Sequence, residues 1–160
     1  MIFWQALKFV ENVILRVALP SDVDDISQCA SAAYTKYIQR IGKVPAPMVA
    51  DFGSAVAAKN VLVACIDNTL LGYVVFYPQK ESMHLENVAV FPQYAGSGTG
   101  GKLINKVEQA AIALGLEFVD LYTNEVMTEN LSMYRVLGYN EYDRRCEDGF
   151  NRVYFRKRVI

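Results

Sequence analysis

The sequence predicts a single α/β domain of the α+β kind: a mixed, mostly antiparallel sheet with helices on both faces. Three observations lead there. A chain of 160 residues that is 52% hydrophobic and 21% charged can bury one sizeable core but is too short for two domains. Two hairpin signals, Asp67-Asn68-Thr69 and Asp148-Gly149, join runs of strand-forming residues. One strong helical period, Lys102 to Leu114, stands between strand-like runs and implies a crossover joining parallel neighbours.

The order read along the chain is β-α-α-β-β-β-α-β-α-β-β. Phe3, Leu7, Val10 and Ile14 stand at helical spacing, so residues 1–12 are expected to form an N-terminal docking helix ahead of one domain over residues 13–160. That helix packs either on its own domain or on a second copy in a homodimer. It lacks the basic start and small-residue cleavage site of a secretory leader. Val13 to Ala18 reads as a strand ended by Pro20, and Ser21 or Asp22 as the cap of a helix with Asp24 and Asp25 in its first turn. Lys43 to Pro47 breaks that helix, and Met48 to Lys59 reads as a second one. Strands are expected at 60–66, 70–77 and 83–91. Helix 102–114 follows, with Gly115 as its stop. A strand at 117–122, a helix at 129–137 and strands at 139–147 and 151–159 complete the chain.

Charge and cysteine content exclude several function classes. Sixteen basic residues against seventeen acidic ones give a net charge of −1, so no electrostatic footprint for nucleic acid or an anionic membrane stands out. No apolar run approaches the roughly 20 residues of a membrane span. Cys29, Cys65 and Cys146 form neither a C-x-x-C pair nor a cluster with histidine. That argues against a disulfide framework and against any metal site, and fits a reducing cytoplasm.

The chemistry concentrates at Gly96-Ser97-Gly98-Thr99-Gly100-Gly101-Lys102, between a strand and a helix. Glycines there let the backbone take positive φ and approach a ligand closely, beside the positive end of a helix dipole. A diphosphate suits that concavity. A P-loop needs Ser or Thr after the lysine, and here Leu103 follows. A dinucleotide fold needs its ribose-binding acid beyond a strand's end, whereas Asp120 lies inside one, and too little chain remains for a doubly wound sheet.

The segment Val88-Ala89-Val90-Phe91-Pro92-Gln93-Tyr94-Ala95-Gly96-Ser97-Gly98-Thr99-Gly100-Gly101-Lys102-Leu103 resembles the acyl-CoA-binding segment of the GNAT superfamily of N-acetyltransferases, V-x-P-x-Y-R-G-x-G-x-G-x-x-L. The run from Met127 to Tyr139, with Asn130, Tyr134, Leu137 and Gly138, resembles the same family's N-x-x-x-Y-x-x-L-G-[FY] signature. The strand order matches as well. The family's Arg or Gln at the head of the loop falls on Ala95, which leaves diphosphate binding to main-chain donors from Ala95 to Gly101.

The resemblance implies acetyl-CoA as cofactor and transfer of its acetyl group to an amine of a small molecule or peptide by direct attack. Main-chain groups of Val88, Ala89 and Val90 would bind the pantetheine arm and polarise the carbonyl. Tyr134 would contact the cofactor and protonate the departing thiolate, unless it is merely packed under the sheet. Asn130, one turn earlier, would orient the arm or else cap its helix. For the base, Glu86 is the first choice and His84 the second. By period two both share a strand face with Val88 and Val90, unless a bulge breaks the alternation. Acceptor-side candidates are Tyr34, Tyr37 and Asp51, with Met48, Phe52, Tyr142, Arg144, Arg145 and Phe150 in the same segments. A catalytically silent acyl-CoA sensor on this fold is the alternative, and a nucleotide-phosphate-binding protein a third reading.

Overall fold

The computed structural model describes residues 12–160. The docking helix expected over residues 1–12 therefore lies, but for its last residue, outside the described residues. The strands are β1 (Ile14–Val17), β2 (Val61–Ile66), β3 (Thr69–Gln79), β4 (Ser82–Val90), β5 (Phe118–Asn124), β6 (Asn140–Glu147) and β7 (Phe150–Arg158). The helices are α1 (Val23–Tyr34), the single turn α2 (Ile38–Ile41), α3 (Phe52–Ala57), α4 (Thr99–Ala113) and α5 (Thr128–Val136). The strands make one sheet in the order β1-β2-β3-β4-β5-β7-β6. Every neighbouring pair is antiparallel except β4 and β5, which α4 joins as a crossover.

Each face of the sheet is covered. Ile26, Cys29 and Ala30 of α1 and Phe52 and Val56 of α3 pack on Val61, Val63, Tyr73, Val75 and Ala89. On the other face Leu103, Ile104, Val107 and Ala111, the helical stripe read from the sequence, pack with Leu131 and Tyr134 of α5 on Val74, Met83, Leu85, Val119 and Phe155. Among the described residues no helix is long and apolar enough to cross a membrane.

Local physics moves three expected boundaries. Helix α4 starts at Thr99 rather than Lys102, because Gly98 at φ +85° turns the chain directly into it and buries Thr99. The helix expected over Met48 to Lys59 is not one helix. A 3₁₀ turn, Ala46–Val49, is followed by extended Ala50, and α3 begins afresh under an Asp51 cap. Asp22 precedes α1 but does not cap it. Its carboxylate accepts from the Leu19 N–H at 2.7 Å and grips the Arg16 guanidinium at 2.7 and 3.0 Å.

One irregularity positions the site. Val75 lies opposite Asn87 and Phe76 opposite Leu85, so Glu86 is the extra residue of a β-bulge. The bulge inverts the side-chain alternation. Before it the odd residues Met83 and Leu85 face α4; after it Val88 does, while Ala89 faces α1. The shared face expected for His84, Glu86, Val88 and Val90 is therefore broken between Glu86 and Val88.

Candidate active site

Strands β4 and β5 pair from Ser82–Phe118 to Leu85–Leu121 and no further, although β4 runs on to Val90 and β5 to Asn124. The bulge falls where pairing stops, and a gap opens between the strands. The Phe91 N–H donates to Leu71 O at 2.8 Å across β3. By the alternation of an antiparallel ladder, the main-chain groups of Ala89 face β3 too, while those of Val88 and Val90 face the gap. Gly72 makes this close packing possible, since a Cβ there would stand 2.6 Å from Ala89 O.

The glycine loop opens at the end of this gap. Gly96 and Gly98 hold φ +78° and +85°, conformations that cost other residues a left-handed backbone. Side chains built on Gly96, Gly98 or Gly101 would meet nothing within 4 Å, so the loop's outer face is clear for a ligand. The first N–H groups of α4, from Thr99, Gly100 and Gly101, have no carbonyl one turn back within the helix and are free to donate to an anion. The expected contributions of Ala95 and Ser97 need correction. Their N–H groups close the preceding turns on Pro92 O at 3.1 Å and Tyr94 O at 3.2 Å. The Ser97 hydroxyl is in turn paired with that of Thr99 at 2.8 Å.

Two cavities meet at this gap. A groove runs along Val88 to Val90 and the glycine loop, bordered by Tyr37 and Met133. A second pocket is walled by Glu86, Asn87, Tyr122, Asn124, Met127, Tyr134, Phe150 and Arg152, and roofed by Ile41 and the segment Pro45 to Pro47. Tyr34, Val88 and Asn130 line both, so a molecule in the groove reaches the pocket at that junction.

Tyr134 is buried in α5 against Tyr139 and Phe155, ring centroids 5.8 Å away in each case. Burial raises its phenol well above the ordinary range, which keeps the proton in place. Asn130 is the third residue of α5 and Met127 holds the cap position, so the capping alternative fails; the Asn130 amide donates only a weak 3.6 Å contact to Met127 Sδ. Glu86, at the pocket rim, carries a carboxyl raised by desolvation. His84 does not line the pocket. Its ring lies between Tyr77 and Tyr122 at 5.3 and 5.7 Å, and burial lowers its pKa against the opposing pull of Asp120.

The acceptor-side candidates divide. Tyr34 lines both cavities and Tyr37 the groove, where its hydroxyl donates to Glu129 at 3.4 Å. Asp51 does not join them. Its carboxylate accepts from the Ser54 N–H at 3.0 Å and the Ser54 hydroxyl at 2.6 Å, and is spent on capping α3. Arg144 and Arg145 lie on the outer strand β6, paired with Glu141 and Asp143. The guanidinium that reaches the pocket is that of Arg152, stacked over Tyr122 at 4.4 Å and bonded to Glu147 at 2.9 Å. Sequence reasoning passed over Arg152, Tyr122 and Asn124. The only available signal was their alternation with buried Val153, Leu121 and Thr123.

A model of the acetyltransferase (GNAT) family matches residues 27–139. The PaiA N-acetyltransferase of Thermoplasma acidophilum, solved in complex with coenzyme A, superposes with a TM-score of 0.77 at 15% identity, over 91% of this chain and 98% of that one. YncA of Salmonella typhimurium, solved with its cofactor acetyl-CoA, gives 0.72 at 16% identity over 93% and 95%. The ribosomal-protein-S18-alanine N-acetyltransferase of Escherichia coli gives 0.70 at 14% identity over 92% and 94%. Compared by sequence with curated proteins, the chain matches none.

Proposed function

Because the chain belongs to the GNAT family of acetyltransferases, we propose that it transfers the acetyl group of acetyl-CoA directly to a primary amine of a small molecule or peptide. The observation that carries this reading is the junction itself: a groove with main-chain donors opens onto a side-chain pocket where Glu86 and Tyr134 converge. The groove fits the donor, since its glycines leave open space over unpaired helical N–H groups. Acetyl-CoA supplies the activated acyl group; the chain supplies position and proton movement.

Thr99, Gly100 and Gly101 hold the diphosphate. Val88 and Val90 lie along the arm, and their N–H groups face the charge that develops on the carbonyl oxygen. Asn130 orients the arm from the opposite side. Glu86 takes the proton from the attacking amine, directly or through water. Its carboxyl, raised by desolvation, is a stronger base than an ordinary glutamate. Tyr134 returns a proton to the departing thiolate. Its burial makes the phenol a weaker acid, but the thiolate emerges in the same dry surroundings, which raise its own proton affinity.

The pocket carries Glu86 and Arg152 among aromatic and proline surfaces. An amine with an apolar or aromatic body suits it best. We place the protein in the cytoplasm, where its three free cysteines stay reduced. The test is a panel of small amines and peptide N-termini screened for release of CoA. Calorimetry with acetyl-CoA at millimolar concentration accompanies it. Absence of acetyl-CoA binding would overturn the reading, and binding with no turnover on any amine would favour a sensor.

A further inference from the structure

The gap between β4 and β5 leaves the carbonyl of Val88 without a strand partner on the side where the donor would lie. The structure supplies one from elsewhere. Tyr34, the last residue of α1, donates its hydroxyl to Val88 O at 3.1 Å. The two residues are 54 positions apart in the chain, so the bond is a tertiary one made by a helix packed on β3 and β4. Tyr34 is 8% exposed, and its ring packs near Tyr37 with centroids 6.1 Å apart.

This contact bears on the reaction. Carbonyl dipoles aimed into the gap would oppose the negative charge that grows on the thioester oxygen, whereas N–H dipoles favour it. An O–H donated to Val88 O quenches the unfavourable dipole of that carbonyl and pins the strand beside the N–H groups of Val88 and Val90. We infer that Tyr34 is a positioning residue for acetyl transfer, whose hydroxyl fixes the Val88 carbonyl so that β4 at Val88 presents its donor rather than its acceptor to the thioester. The inference rests on the donor site proposed above. Burial holds the phenol protonated across the working pH range, so the bond does not titrate. Tyr34 also lines the acceptor pocket, which makes the two sites share one wall.

The test is Tyr34→Phe, which removes one oxygen and keeps the ring in its packing, with the fold checked by circular dichroism and thermal melting. Acetyl-CoA labelled at its carbonyl carbon is bound to each protein and the carbonyl stretch read by infrared difference spectroscopy. No acceptor amine is needed. The wild type should shift the stretch to lower frequency than in water, and Tyr34→Phe should lose about half of that shift while binding acetyl-CoA within about threefold. Tyr139→Phe, which strips a buried hydroxyl bonded instead to Glu108 at 3.1 Å, should leave the stretch unchanged. An unaltered shift in folded, acetyl-CoA-bound Tyr34→Phe overturns the role assigned to Tyr34. Failure of the wild type to bind acetyl-CoA overturns the donor site instead. Should Tyr34→Phe melt before it can be measured, the carbonyl carbon of Val88 in the wild-type NMR spectrum decides: a shift typical of a carbonyl with no hydrogen bond defeats the proposal.

Discussion

The two sides of the junction are built from different parts of the chain. The donor groove is main chain: gap-facing groups of Val88 and Val90 and the opening turn of α4 after two glycines of positive φ. The acceptor pocket is side chain, drawn from the roof over 41–50, the bulge of β4, the end of β5 and the start of β7. Main-chain recognition constrains sequence severely, because only glycine adopts those angles at low cost. Side-chain recognition leaves residues that any strand could carry. The donor of such an enzyme is therefore written as a local motif, and its acceptor only as a fold.

If that division holds, side-chain changes at the junction should lower the rate and spare donor affinity. The sharpest case is Tyr134→Phe. Loss of a general acid costs about 100-fold or more in kcat, and acetyl-CoA affinity by calorimetry should stay within about twofold, because the ring packing against Tyr139 and Phe155 persists. A matching loss of acetyl-CoA affinity would place Tyr134 in the donor wall and break the comparison.

Next in size is Glu86→Gln, expected to lower kcat about 10- to 100-fold with the best amine of the panel. The pH dependence carries the diagnosis. A base must be ionised, so the rate falls as pH drops through the Glu86 pKa, and desolvation places that limb above the ordinary glutamate range. Glu86→Gln should remove the limb. If the limb survives there and vanishes in His84→Gln, the base is the ring held between Tyr77 and Tyr122.

How much of this was legible follows from the same contrast. The helical stripe of α4, both hairpin turns and the strand order could be read because period and turn chemistry are local. So could the placing of Tyr134 and Asn130 on one helix, and of the glycine loop ahead of α4. Three things were not. The resemblance allowed a bulge beside the cofactor, but its place at Glu86 leaves no mark in composition, and it is that place which sends Val88 to the opposite face. The Ala95 and Ser97 donors look available until the turns that consume them are seen. Asp51 and Arg152 exchange their expected standing, because an Asp before Phe-Gly-Ser caps a helix while an arginine of the final hairpin points inward.

The main-chain half can be broken without touching a polar group. Gly72→Ala would push a Cβ to 2.6 Å from Ala89 O and 3.0 Å from Val90 Cγ2, forcing β3 and β4 apart beside the gap. Such overpacking costs about 1–3 kcal/mol of stability, read as a lower midpoint in urea unfolding. Acetyl-CoA affinity should fall about tenfold, the equivalent of roughly 1.4 kcal/mol of misplaced donors. Normal acetyl-CoA affinity in a folded Gly72→Ala protein would mean that β4 main chain does not hold the donor.

The smallest effect belongs to the roof of the acceptor side. Arg40, in the single turn α2 ahead of its Gly42 stop, forks onto Glu129 of α5 at 2.9 Å through both terminal guanidinium nitrogens, and also stacks over Tyr37 at 5.2 Å. The Arg40 hydrogen bonds hold the Glu129 carboxyl down at about 2. A carboxyl lowered in the folded state strengthens the fold above its unfolded pKa and loses that contribution as pH falls through the folded one, so the strap persists at every pH above about 2. Both partners are exposed, and such pairs contribute little to stability. Glu129→Gln should accordingly leave melting and acetyl-CoA affinity unchanged and raise the acceptor KM about two- to threefold, as molar salt should in the wild type by screening the same pair. An acceptor KM indifferent to both would detach the roof from acceptor binding. A change in acetyl-CoA affinity would instead assign Glu129 to the groove that its neighbour Asn130 lines.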